Sequence, residues 1–493
     1  MGKLHQFINL IIKPQDHSLK LQSIRAAMWS ALEKGGSNAL RMIGSLILTR
    51  ILFPEAFGIM ATAQIFVVMI QLFSDVGIRT AIVQNQNGAQ PEFLNTAWFI
   101  CLCRGAVLSL VIIILAWPVS LYYAQPEIKT ILLIMALSPL ISGFENPALT
   151  VMIKIFRVEK KVALELGSQT LGLLSSIVLA YLMQSVYALA IGVVLSVLYK
   201  TLGSFIVAPY HPALQLNRTY ALEIFHFGKF IFMNTLISFT AMNADIFIVG
   251  KVLHMTDLGI YSIGRNIGLL LWMICLQIFV QSYMPAISSV HTDLFRTIRI
   301  YKRTATLALA LIIPVSMIFA LFSHDIIRLL YDPRYQSAAI SMSWFSLSGI
   351  LLVLNAINSN TFIAMGRPQY ETMSMAVGAI FVCILIPLGA KYFGMAGAAA
   401  GMFLSILAIT IAQSFNLIFA LRFPFSKVLH LWYQILLVPA SIISFYCILL
   451  TPLANTGTYN IPFLVVMTVL SLAASGGLYI LWEGTRPFND QKA

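Results

Sequence analysis

Fourteen stretches of about twenty predominantly apolar residues follow one another along this chain, separated only by short clusters of Pro, Gly, Asn and charge. A helix that crosses a bilayer needs roughly 20 such residues. With 59% hydrophobic residues, 10% charged residues and a mean hydropathy of +0.87, this spacing excludes a string of soluble domains. It predicts an all-α polytopic membrane protein of about 14 transmembrane helices. The expected spans are 26–51, 57–79, 94–123, 128–153, 160–183, 185–207, 226–253, 258–283, 299–322, 337–364, 371–390, 393–421, 428–451 and 461–482. The longest connections, near 208–225 and 284–298, leave no room for an extramembrane catalytic domain.

In a polytopic chain the net charge of +13 reports topology, not nucleic acid. With the N-terminus set in the cytoplasm, nineteen of the 31 basic residues fall in loops on that side and six in the opposite loops. The remaining six, Lys34, Arg41, Arg104, Lys200, Lys229 and Arg265, lie at membrane depth. Both termini are therefore expected in the cytoplasm. Residues 1–25 carry too short an apolar core for a signal peptide and read as a retained interfacial segment. Cysteines 101, 103, 275, 383 and 447 sit in apolar stretches, where a disulfide framework or a metal site lacks polar support. No metal or other cofactor is expected.

An internal repeat orders the spans. RILFPEAFGI at 50–59 aligns without a gap on KVLHMTDLGI at 251–260, an offset of 201 residues, and each copy joins a long span to the next. The expected organisation is a first lobe at 26–207, a linker at 208–225, a second lobe at 226–421, and two further helices with a cytoplasmic tail at 422–493. Parallel repeats of this kind are one of the known transporter architectures.

The segments TRILFPEAFGIMA at 49–61, FSDVGIRTAIVQ at 73–84 and FSHDIIRLLYDP at 322–333, with the turn Gly366-Arg367-Pro368, resemble Wzx-type polysaccharide flippases of the multidrug, oligosaccharidyl-lipid and polysaccharide exporter superfamily, most nearly exporters of the colanic-acid kind. The resemblance covers essentially the whole chain, and its motifs name no sugar. It implies a flippase that moves an undecaprenyl-pyrophosphate-linked oligosaccharide across a bacterial inner membrane for surface polysaccharide, by alternating access, with membrane lipids around it and a polymerase and glycosyltransferases of the same pathway as partners. Two other readings stay open: a cation-coupled small-molecule or drug exporter of the same superfamily, and an integral membrane enzyme of polysaccharide assembly. The latter lacks the polar catalytic loop it would need. The chain is expected not to be an enzyme.

The residues carry a site reading of their own. Ser30, Lys34, Asn38, Arg41, Ser45 and Thr49 recur at three- and four-residue steps and draw one stripe along the first span. Even lenient insertion scales charge about 2.5–3.5 kcal/mol for a mid-helix Lys or Arg, so the stripe must face protein or water. Gln64, Gln71 and Asp75 mark a face of the second span; Asn234, Ser238 and Asp245 mark the seventh. Arg265 stands at the repeat position of Gln64. The expected substrate cavity is lined by Lys34, Asn38, Arg41, Gln64, Asn234 and Arg265, with Lys34, Arg41 and Arg265 supplying the charge a diphosphate requires. The same basic residues could instead pin helices through internal ion pairs, such as Arg41 with Asp75 or Lys34 with Glu33. Asp245 and Asn243 form an oxygen-rich candidate for a coupling Na+ or H+, and Glu145 and Glu165 are further membrane carboxylates. Arg104 reads as a snorkelling or packing residue, and Lys200 as one that snorkels to the interface. Gly394, Gly397 and Gly401 in GMAGAAAG serve close helix packing, since no strand precedes them to make a dinucleotide loop.

Overall fold

The structure, a computed structural model, describes residues 19–73, 78–85, 87–154, 158–208, 210–290, 293–426, 428–429 and 431–433; some side chains within these, including those of 222–235, fall outside the description. The described residues form helices and no strand. In chain order these are α1 (Leu19–Ile51), α2 (Pro54–Phe73), α3 (Ile78–Gln84), α4 (Pro91–Tyr123), α5 (Pro126–Met135), α6 (Leu137–Gly143), α7 (Ala148–Lys154), α8 (Glu159–Met183) and α9 (Tyr187–Val207). Then follow α10 (Arg218–Val252), α11 (Met255–Gly268), α12 (Leu270–Cys275), a π-turn (Leu276–Val280), α13 (Gln281–Ser288), α14 (Leu294–Leu321), α15 (Ser323–Leu330), α16 (Ala338–Ala364) and α17 (Gln369–Phe415).

Helix starts and stops follow local chemistry. α4 and α5 each open on a proline, whose missing N–H costs nothing in a first turn, with Glu92 and Glu127 in those turns favoured by the helix dipole. Between them Ala124 takes a left-handed conformation, φ 53°, which reverses the chain. Asn217 and Asp293 cap α10 and α14 by accepting from the backbone N–H groups of Thr219 and Arg296. Gly394, at φ 58° and ψ −142°, breaks α17. The break falls just inside the span expected at 393–421, and Gly394 serves it through its positive φ and not through packing, since no packed neighbour lies within 4 Å of where its Cβ would stand. The packing expected of Gly397 holds, because a Cβ there would collide with the carbonyl oxygen of Gly389.

Among the described residues nine helical stretches are long and apolar enough to cross a membrane, from Pro54–Leu72 to Gln369–Phe419. α1 and α10 are not among the nine; α1 carries the polar stripe. The expected span 258–283 is not one smooth helix but α11, α12, the π-turn and α13 in succession. The spans at 428–451 and 461–482 lie almost wholly outside the described residues, as does most of the segment 1–25.

The chain packs as two compact units, residues 1–262 and 263–493. The sequence repeat and the packing are thus divided at different places, because α10, which opens the second copy of the repeat, lies against α2 and α4 in the first unit. Within that unit the turns alternate between two ends, as the span order requires. Leu48 and Leu52 pack with Ala180, Ala188 and Leu189 at one end, where Lys251 of α10 also donates to the carbonyl of Tyr122. At the other end the connection 208–217 is strapped down by side chains. Asn146 donates to the carbonyls of Ala208 and Tyr210, both at 2.8 Å. Tyr210 donates to Asn95 Oδ1 at 2.7 Å, and Asn95 Oδ1 also accepts from the N–H of Ala213 at 2.9 Å. Burial pushes the Tyr210 hydroxyl pKa up from its ordinary value. In the second unit the core runs through Tyr301, Leu309, Ile312, Ile350, Leu354, Phe362 and Leu417.

Candidate substrate-binding site

Helix α1 uses its circumference in three ways. One side packs on α8, where Gly36 lies under Leu166 and Gly44 under Leu173, close enough that a Cβ at either glycine would displace the leucine. A second side exposes Leu32, Ile43 and Ile47, the composition a lipid-facing surface requires. The third carries Lys34, Asn38, Arg41 and Ser45, with Lys34 and Arg41 exposed and Asn38 and Ser45 half-buried. Neither Lys34 nor Arg41 has a hydrogen-bond or ion-pair partner among the described residues. Glu33 pairs with Lys161 of α8, at 2.9 Å, and not with Lys34; Asp75 lies outside the described residues. Thr49, the last polar residue of the stripe, is buried and turns back onto the carbonyl of Ser45.

The end of this unit at the turns 52–53 and 253–254 is closed. A Cβ on Gly58 of α2 would collide with the carbonyl oxygen of Met255 and stand 3.0 Å from the nitrogen of Gly259; a Cβ on Gly259 of α11 would collide with the carbonyl oxygen of Pro54 and stand 3.0 Å from the nitrogen of Gly58. The contact is reciprocal at the repeat offset of 201 residues, Pro54 matching Met255 and Gly58 matching Gly259. The two copies of the motif cross backbone to backbone, as glycine permits. Beside the crossing, Thr62 reaches the sulfur of Met255 at 3.7 Å. Below it Phe66, Phe239 and Phe247 pack edge to face, Phe66 also meets Tyr123, and the Tyr123 hydroxyl donates to the carbonyl of Phe247 at 3.1 Å. The ammonium of Lys251 sits 4.4 Å over the Tyr122 ring.

The other expected site residues are placed as follows. Gln64 is half-buried on α2, and the side chain of Asn234 lies outside the described residues. Arg265, in the second unit, is half-buried with its guanidinium 5.7 Å over the Phe345 ring. Asp245 is fully buried and accepts from the Tyr261 hydroxyl at 3.0 Å. Asn243, two residues away and so on another face of α10, is half-buried and donates to the carbonyl of Phe239 at 3.4 Å.

One cluster was not foreseen. Lys200 of α9 does not snorkel; it is held between Glu145, at 3.4 Å, and Glu165, at 3.0 Å, and so ties α9 to α8 and to the end of α6. Of the two roles expected for Arg104, the structure shows packing: it donates to the carbonyl of Gln71 at 2.9 Å and joins α4 to α2. Two acids lying 55 and 35 residues from one lysine give no local signal in a sequence.

Residues 47–340, more than half of the chain, match the family described as polysaccharide biosynthesis protein. The chain belongs to this family. Its relatives include the succinoglycan biosynthesis transport protein ExoT of Rhizobium meliloti, 25% identical over a region that spans 48% of each chain, about half the length of that relative. The lipopolysaccharide biosynthesis protein WzxC of Escherichia coli is 19% identical over 81% of this chain and 82% of its own. Among solved structures the fold is similar to the lipid II flippase MurJ in an inward closed conformation, with a TM-score of 0.69 at 12% identity over 92% of this chain and 97% of the other. It is also similar to an inward-facing multidrug resistance transporter of the MATE family and MOP superfamily, with a TM-score of 0.56 at 14% identity over 82% and 94%. This member of the polysaccharide biosynthesis protein family is a multi-pass membrane protein with the MurJ and MATE type of fold.

Proposed function

We propose that this protein is a flippase that carries undecaprenyl-pyrophosphate-linked oligosaccharide repeat units from the cytoplasmic to the periplasmic leaflet of a bacterial inner membrane, by alternating access and without chemistry on the substrate. In this reading both termini are cytoplasmic and the closed end of the first unit is periplasmic. The observation that carries it is the pairing, within one unit, of an open basic face on α1 with a sealed far end. Arg41 and Lys34 offer charge and directional donors to a diphosphate from a site where neither is neutralised, while the Gly58–Gly259 crossing bars exit until it parts. Family membership and the relatives named for polysaccharide transport support the same reading.

The test is a reversible lock. Thr62→Cys with Met255→Cys places two thiols across the crossing in a background without the native cysteines. Oxidation is expected to abolish translocation of lipid-linked oligosaccharide in vesicles, and reduction to restore it. Full transport by the cross-linked protein would overturn the proposal.

A further inference from the structure

A chain of four buried polar side chains runs through the second unit, and the substrate site uses none of them. The Tyr301 hydroxyl of α14 donates to Asn358 Oδ1 of α16 at 2.8 Å. Asn358 Nδ2 donates to Gln413 Oε1, near the end of α17, at 3.2 Å. Gln413 Nε2 then donates to Glu371 Oε2, in the first turn of the same broken helix, at 2.9 Å. Tyr301 is 1% exposed, Asn358 and Gln413 0%, and Glu371 8%. Every donor in the series points toward the carboxyl.

Glu371 has no Lys, Arg or His partner among the described residues. Its further neighbours offer hydrogen bonds or apolar surface only. Ser359 bonds Gln413 at 3.4 Å, and Tyr283, the other buried titratable group nearby on α13, is engaged with Thr361 at 2.6 Å. Arg367 lies exposed in the turn that precedes α17. A buried carboxylate without a counter-ion is costly unless hydrogen bonds hold it or a proton neutralises it.

This chain can serve both states. Amide oxygen and nitrogen exchange places by a half-turn. With a proton on Glu371 the carboxylic acid becomes the donor to Gln413, Gln413 to Asn358 and Asn358 to the Tyr301 oxygen, on the same heavy-atom positions. The two polarities differ by one proton, taken from water and held at Glu371. We propose that Glu371 is a proton-binding site of this protein, with Gln413, Asn358 and Tyr301 as the residues that report its occupancy across three helices. Its role as a coupling site rests on the transport reading above.

The test reads the proton itself, in the purified full-length protein, by infrared difference spectroscopy between acid and alkaline pH. The carbonyl band of a buried carboxylic acid is expected to appear on acidification and to be missing from Glu371→Gln, which keeps the amide-type hydrogen bond but cannot titrate. Tyr301→Phe keeps the carboxyl and removes the donor that biases the chain toward the ionised form, so the band should persist to higher pH. An unchanged spectrum in Glu371→Gln would overturn the site. So would an unmoved midpoint in Tyr301→Phe, should the glutamine variant fail to fold, or a band that answers to sodium at fixed pH. The signal needs no oligosaccharide, so its failure is distinct from failure of the cross-link test.

Discussion

Lys34 and Arg41 on α1 and Lys200 on α9 look alike in the sequence, each a basic residue set in an apolar span. In the folded unit they are opposites. Lys200 is clamped by two carboxylates within 3.4 Å, whereas Lys34 and Arg41 stand on an open face with no partner among the described residues. A charge at membrane depth can be tolerated by a counter-ion or by water, and the first solution removes it from service while the second leaves it available to a ligand. The open residues should therefore govern transport, and the clamped one stability.

The largest effect is expected from replacing Lys34 and Arg41 together by alanine. A hydrogen bond to a charged group contributes roughly 1.5–3 kcal/mol, so two losses should cut transport by about a hundredfold or more while membrane abundance holds. Arg41→Lys should recover part of the single-site loss, since it keeps the charge and loses the planar fork. Parallel loss of abundance in the alanine variants would erase the contrast with Lys200.

Lys200→Met should come next, and on the other axis. It strands two acids, and breaking a buried pair costs roughly 3–5 kcal/mol; because about a fifth of each side chain is exposed, a loss nearer 2 kcal/mol is expected. Thermal unfolding in detergent measures it, and Glu165→Gln in the same chain should restore part by removing one stranded charge. Undiminished stability would mean that the clamp is incidental.

The smallest effect sharpens the comparison. Asn38 shares the open face without a charge, and a neutral hydrogen bond contributes about 0.5–1.5 kcal/mol. Asn38→Ala should lower transport by roughly two- to tenfold. A loss as large as that of Arg41 would show that shape, not charge, decides what the face holds.

Much of this was legible in the chain itself. The α1 stripe could be read because a face of a helix repeats every three or four residues. The match of 50–59 to 251–260 could be read for a similarly local reason, whereas the apolar pattern sets the break after the span 371–390 a few residues too early, before Gly394 and not at it. What escaped were contacts between single polar residues far apart: Lys200 with its two acids, the series from Tyr301 to Glu371, and the strap of Asn95 and Asn146 over 208–217. Each of those residues is one polar letter in an apolar run, and only packing decides which letters meet. The interruption of the span at 258–283 by a π-turn also left no mark in its hydropathy.

The position of the packing boundary bears on how such a protein is made. The first unit closes at residue 262 and already holds the opening helix of the second repeat, the strapped connection and the glycine crossing. At about 5–20 residues per second, the 231 residues that remain of the 493 need roughly 10 to 50 s to leave the ribosome. Hydrogen bonds and side-chain contacts form far faster than that. The nascent chain can thus fasten its sealed end while nearly half of it is still unmade, and the later helices enter the bilayer only after that unit is complete.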